Sequence, residues 1–176
     1  MNWEAIGAIA GLIGLGFVVV SLVYVGIQIK QSNKDARSQA RQTLLDTFAQ
    51  VNWEFGKDPD LPTMVSAGLH DWSSLSNAEK TRFETVMGRY LQNIQKGILL
   101  YQDGSLDSAT LDNIANFMLT CVQVPGGKEW YEESLYPSPE VREYFSQRLD
   151  NLSTLPPSIA ETMPHFEALW KDRKET

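Results

Sequence analysis

Residues 5–29 read AIGAIAGLIGLGFVVVSLVYVGIQI, and this stretch decides the architecture. No charged side chain lies between Glu4 and Lys30. As a helix these 25 residues would reach about 37 Å at roughly 1.5 Å per residue, against a bilayer hydrocarbon core of about 30 Å. Fourteen of the 25 are Ile, Leu, Val or Phe, and each favours insertion by roughly 0.3–0.6 kcal/mol. Trp3 and Tyr24 stand 21 residues apart, about 32 Å of helix, a spacing that suits two interfacial aromatic anchors. The stretch therefore predicts a retained transmembrane anchor over residues 1–30. A cleaved signal peptide would need a basic start and a shorter apolar core; here the start is Met1-Asn2-Trp3-Glu4. A buried soluble helix would need a protein large enough to cover it on every side.

Working outward, the flanks set a direction. Upstream there is no Lys or Arg; downstream come Lys30, Lys34, Arg37 and Arg41 against Asp35 alone. The positive-inside rule predicts a single-pass protein of the bacterial inner membrane, with the N-terminus outside and the C-terminal part cytoplasmic. The same cations can meet anionic lipid headgroups, so membrane lipid is an expected partner. The whole chain carries −7. Setting aside Glu4 and the net +3 of residues 30–41 leaves −9 for the remainder. Such a surface repels phosphate backbones and argues against nucleic acid. Cys121 is the only cysteine, which excludes an intrachain disulfide and a thiolate metal cluster and agrees with a reducing compartment.

The rest of the chain predicts an all-α fold. Ala36, Ala40, Leu44, Thr47, Phe48, Val51 and Phe55 recur at helical steps. Nothing from Ile27 to Phe55 is Pro or Gly, so the anchor is expected to run on as a juxtamembrane helix, residues 31–56, ended by Gly56. Asp58-Pro59-Asp60-Leu61-Pro62 predicts a turn and residues 63–70 a short helix. Ser76 and Glu79 form a capping box before the stripe Phe83, Val86, Met87, Tyr90, Leu91, Ile94, Ile98, Tyr101, which Gly104 closes. Asp107 or Ser108 opens a fourth helix holding Leu111 to Val122, and Pro125-Gly126-Gly127 breaks it. A short helix carrying Trp130 and Tyr131 follows. Ser138-Pro139-Glu140 starts another helix. Leu155-Pro156-Pro157 predicts a stiff break before a last helix over 158–171. The expected organisation is a helical cytoplasmic domain over 57–152 and a Pro-broken C-terminal helix or tail over 153–176.

Chemical motifs fail one by one. Gly126-Gly127-Lys128 lacks the Gly and the Ser or Thr of a phosphate loop, because those positions hold Val122 and Glu129. Asp103, Ser105 and Asp107 lack the Gly and Glu of a calcium loop, since Ser108 and Ile114 stand there. His70 and His165 have no metal-site spacing, and Cys121 sits in an apolar pattern. Glu132-Glu133 and Glu140 could pair as carboxylates in space, which spacing alone does not show, and the cluster Trp130, Tyr131, Tyr136, Tyr144 and Phe145 reads as packing. No catalytic, cofactor-binding or metal residue is therefore expected. One motif survives: Gly7, Gly11, Gly14, Val18 and Ser21 share one face of the anchor, and small residues at such spacing let membrane helices approach.

Several segments together carry a resemblance. They are Met1-Asn2-Trp3-Glu4-Ala5-Ile6-Gly7, Gln28-Ile29-Lys30-Gln31, Asp58-Pro59-Asp60-Leu61, Leu75-Ser76-x-x-Glu79, Tyr101-x-x-Gly104-x-Leu106, Pro125-Gly126-Gly127-x-x-Trp130-Tyr131 and Ser138-Pro139-Glu140. With them the chain resembles, over most of its length, a widespread family of small uncharacterised bacterial proteins with one N-terminal transmembrane helix and a helical cytoplasmic domain. The resemblance implies architecture and no activity. The leading expectation is a non-enzymatic membrane-anchored protein that self-associates and binds a protein partner. An accessory subunit of a larger membrane complex comes second, and a membrane-anchored enzyme of unknown reaction third.

Overall fold

The computed structural model describes residues 2–151 and 159–175. Every regular element among them is a helix, so the fold is all-α. Helix α1, Trp3–Lys57, runs for 55 residues. Contacts divide the chain into two compact units, Met1–Ala40 and Arg41–Thr176.

The first unit is the N-terminal part of α1. It belongs to the one helix among the described residues that is long and apolar enough to cross a membrane. Its large apolar side chains from Leu15 to Ile29 are between 49% and 70% exposed, far more than a soluble core helix would leave in water.

The second unit begins inside α1. Leu44 and Val51 are 2% and 6% exposed, so residues 41–57 belong to the helical domain and not to a separate juxtamembrane element over 31–56. Helix α1 also passes through Gly56 to Lys57; Gly56 keeps ordinary helical geometry, and the only positive φ among the described residues is at Gly104. Helix α2, Asp60–His70, starts three residues before the predicted 63. Pro62 falls in its first turn, where a missing N–H costs no helical bond. A 3-10 turn, Trp72–Ser74, leads to α3, Asn77–Gln102, through the full capping box of Ser76 and Glu79. At the other end of α3, Gly104 takes φ 75° while Ser105 N donates to the Leu100 carbonyl at 2.8 Å, the left-handed cap that glycine permits.

Helix α4, Ser108–Cys121, is capped by Asp107, whose carboxylate accepts from the Thr110 N–H. Pro125 does more than stop it, because it is the first residue of α5, Pro125–Glu133. Helix α6, Pro139–Leu149, opens on the Ser138 cap. The Leu155-Pro156-Pro157 break lies outside the described residues. Beyond it the expected single helix is two, α7 (Ile159–Thr162) and α8 (Pro164–Glu175). Pro164 removes an N–H and clashes with the preceding turn, so it restarts the helix and cannot continue it.

The core gathers one face from each helix: Val65 and Leu69 of α2, Phe83, Met87 and Ile94 of α3, Leu111 and Met118 of α4, Trp130 of α5, Phe145 of α6. Helix α2 packs on α8, α5 and α3, and α3 packs on α4 and α6. Gly126 and Gly127 explain how α5 fits. A Cβ on Gly126 would lie 2.3 Å from the Gly68 carbonyl oxygen and 2.8 Å from the backbone nitrogens of Asp71 and Trp72. A Cβ on Gly127 would lie 2.0 Å from the Cys121 carbonyl oxygen. These are backbone-to-backbone approaches that no side chain allows. Gly126→Ala should therefore lower stability by roughly 1–3 kcal/mol through forced displacement of α5. Gly56→Ala, with nothing within 4 Å of its Cβ, should raise it by up to about 1 kcal/mol. Thermal unfolding of the full chain followed by circular dichroism compares the two; equal shifts would mean that the α2–α5 contact tolerates a methyl group.

Candidate ligand cavity

The C-terminal unit holds a half-open apolar cavity of about 570 Å³, within the range of small-molecule sites. Helix α1 supplies one wall through Leu45, Phe48, Asn52 and Phe55. These positions lie beside the core-facing Leu44 and Val51, so one stretch of helix serves core and cavity together. Helix α3 adds Tyr90, and α4 adds Thr110, Asn113, Ile114 and Phe117. The far end is Met163, between α7 and α8, and Phe166 of α8.

The rings pack on one another around the space. Phe48 and Phe117 flank Tyr90, with centroids 6.0 and 5.1 Å away and planes tilted by 59° and 49°. Phe55 meets Phe166 at 6.4 Å and 32°. The Tyr90 hydroxyl donates to Asn52 Oδ1 at 2.6 Å. Burial pushes the Tyr90 phenol up to about 12, so it stays a donor at every physiological pH.

The polar lining groups are the Asn52–Tyr90 pair midway and Thr110 with Asn113 at one end. Thr110 Oγ1 accepts from Arg41 Nη2 at 3.3 Å and hydrogen-bonds to Asp107. Arg41 lies 3.6 Å from Asp107. Hydrogen bonds from the Thr110 N–H and hydroxyl, with the Arg41 guanidinium beside them, hold the Asp107 carboxyl below its ordinary range. Asn113 lines the cavity one helical turn further on. No described lining residue carries a formal charge.

The residues singled out in the sequence do not converge here, with one exception. Gly7, Gly11 and Gly14 lie on α1 with nothing within 4 Å of where their Cβ atoms would be. Val18 is 55% exposed, and Ser21 Oγ donates to the Phe17 carbonyl at 2.8 Å. Trp3 is exposed, and Tyr24 Oη accepts from Gln28 Nε2 at 2.7 Å. Lys30, Lys34 and Arg37 stand around an open polar depression with Gln31 and Asn33. Arg41 is the exception, since its guanidinium is held at the polar end of the cavity.

Other chemistry-bearing groups stand apart from the cavity lining. Cys121 is fully buried, which raises its thiol well above the ordinary range. His70 stacks on Trp170 at 5.4 Å with its Nδ1 2.9 Å from the Ser66 carbonyl oxygen. Glu133 accepts from Trp72 Nε1 at 3.3 Å, and Glu132 pairs with Lys128 at 3.9 Å. Asp103 accepts from the Ser105 N–H. Among the described residues no three His, Cys, Asp or Glu side chains group as metal ligands. Leu45 and Asn52 had no signal in the sequence; they stand just off the apolar stripe, where spacing alone reads as solvent-facing. Comparison with protein-family models, curated proteins and solved structures finds no match.

Tyr90→Phe should cost about 1 kcal/mol, because Asn52 then loses its donor. The raised phenol favours the neutral folded state. Its contribution to stability is present below about pH 10 and is lost as pH rises through about 12. A spectrophotometric titration of the folded protein should lose a late-ionising component in the variant. Loss of a component that ionises near pH 10 instead would place Tyr90 in water.

Proposed function

We propose that this chain is a non-enzymatic, membrane-anchored helical protein. The apolar part of α1 crosses the inner membrane with the N-terminus outside, anchors self-association through its glycine face, and holds a ligand- and partner-binding domain in the cytoplasm. One observation carries the reading: the side chains of Leu15 to Ile29 are about half exposed or more all round the helix, an arrangement that a lipid environment makes favourable. The run of Lys30, Lys34 and Arg37 after it supports the orientation. The small-residue spacing of Gly7, Gly11 and Gly14 on one face supports close helix approach. The same face fits packing on a foreign helix, which would make the chain an accessory subunit of a larger membrane complex. Native co-purification separates the two, as additional stoichiometric bands favour the second.

Topology is tested by cysteine labelling in a Cys121→Ser background. Asn2→Cys should react with an impermeant thiol reagent added to intact cells stripped of their outer membrane. Asp172→Cys should be protected until the inner membrane is permeabilised. The reverse pattern overturns the orientation, and labelling of both overturns the anchor. Gly11→Ile should weaken self-association by about 1–2 kcal/mol in nanodiscs. Gly16→Ile should be nearly silent, because Gly16 lies about 180° from Gly7 at 100° per residue. Equal effects of the two would move any assembly away from the glycine face.

A further inference from the structure

We propose that the aromatic-walled cavity of the C-terminal unit binds the acyl chain of a single-chain amphiphile, with the polar head at the end marked by Thr110, Asn113 and Arg41. The inference deepens the binding role proposed above by naming a ligand class, and its own evidence lies entirely within residues 41–176. Three features select the ligand. First, the wall along α1 extends from Leu45 to Phe55, about 15 Å of helix, the length of roughly twelve carbons in a zigzag chain. The space of about 570 Å³ suits one such chain with part of its head, and two chains of a diacyl lipid overfill it.

Second, the lining rings are tilted against each other by 32° to 59°. None of these pairs is parallel, so they offer no slot to sandwich a planar ring. A flexible cylinder of methylenes has no such requirement and gains from ring edges and faces alike. Third, polarity is graded. The mid-cavity oxygen of Asn52 is already satisfied by Tyr90, the far end is Met163, Phe55 and Phe166, and no described lining residue carries a formal charge. A buried ligand charge would find no partner there. At the opposite end Thr110 and Asn113 offer hydrogen bonds, and Arg41, 48% exposed, stands within reach of a head left at the rim.

The test uses the full-length protein in phosphatidylcholine nanodiscs and three photoactivatable probes that share one diazirine-bearing chain of about twelve carbons: a free fatty acid, a lysophosphatidylcholine and a diacyl phosphatidylcholine. Labelled peptides are mapped by mass spectrometry. Labelling of the peptides holding Ile114–Phe117 and Met163–Phe166 by the fatty acid, the lysolipid or both supports the proposal, and which of them labels identifies the source of the chain. Leu45→Trp and, separately, Met163→Trp fill the cavity from its two ends. Both positions are partly exposed, at 43% and 37%, so both variants should fold with unchanged circular dichroism, and each should reduce that labelling at least tenfold. Labelling of the cavity peptides that both variants leave intact overturns the proposal. So does labelling confined to residues 5–29, or cavity labelling by the diacyl probe alone. If residues 5–29 escape the diacyl probe, the membrane anchor fails instead, while cavity labelling by a single-chain probe still stands.

Discussion

Leu44 and Val51 hold the C-terminal domain to its first helix. Both are almost wholly removed from water, and burying two such side chains contributes on the order of 3–6 kcal/mol. They rotate the last turns of α1 so that Leu45, Phe48, Asn52 and Phe55 face the cavity. Polar contacts then fix that rotation without supplying most of the energy: Arg89 pairs with Glu54, Arg41 with Asp107, and Asn52 accepts from Tyr90. The ion pairs are about half exposed, and exposed pairs contribute little. The apolar contact sets the affinity of α1 for the domain, and the polar contacts set its register.

The sequence made the helix boundaries legible wherever a local chemical signal exists. Ser76 with Glu79, Asp107, Ser138 with Pro139, and Gly104 each act within four residues of themselves, so reading them needs no knowledge of the fold. Legibility stops where the deciding partner is distant. Pro62 looked like a turn residue because its compatibility with a first helical turn depends on where α2 begins. Pro164 divides a helix that hydrophobic spacing ran straight through. Gly126 reads as a helix breaker, but its role needs the backbone of Gly68 and Asp71, more than 50 residues away. The cavity is the extreme case. Asn52 meets Tyr90, and Phe55 meets Phe166, across separations that no spacing rule reaches.

The two units solve opposite problems with one helix. Residues 41–57 follow the ordinary rule for a soluble domain, one buried stripe with the remainder wet. Residues 14–29 keep no such division, with Phe17, Val18, Val19 and Val20 all more than half exposed on successive faces. Four adjacent helical positions cover every direction around the axis at 100° per step. No single packing partner covers all four, whereas a solvent of hydrocarbon does. The change of pattern within an unbroken helix is what a change of solvent would require under the proposed membrane anchor, with Lys30, Lys34 and Arg37 following the apolar part.

A half-open apolar cavity also has a cost that bears on what it is for. Apolar wall left in water forfeits about 25 cal/mol per Å² relative to burial, and enclosed empty volume forfeits about 24 cal/mol per Å³. Selection for stability alone would fill the space, and the means are at hand. Leu45 and Met163 stand at its rim, and a larger side chain at either would cover the rings behind it. The chain keeps modest residues at the rim and large aromatic ones behind, which is the reverse of what closure would favour. It also keeps the Tyr90 hydroxyl engaged by Asn52 Oδ1, so the phenol places no demand on an occupant. Such an arrangement maximises apolar contact with something that enters and leaves, because the rings are held in place by each other and not by the ligand. That preorganisation lowers the ordering cost of binding, and it accounts for five rings being gathered where a few aliphatic side chains would have sufficed to close the fold.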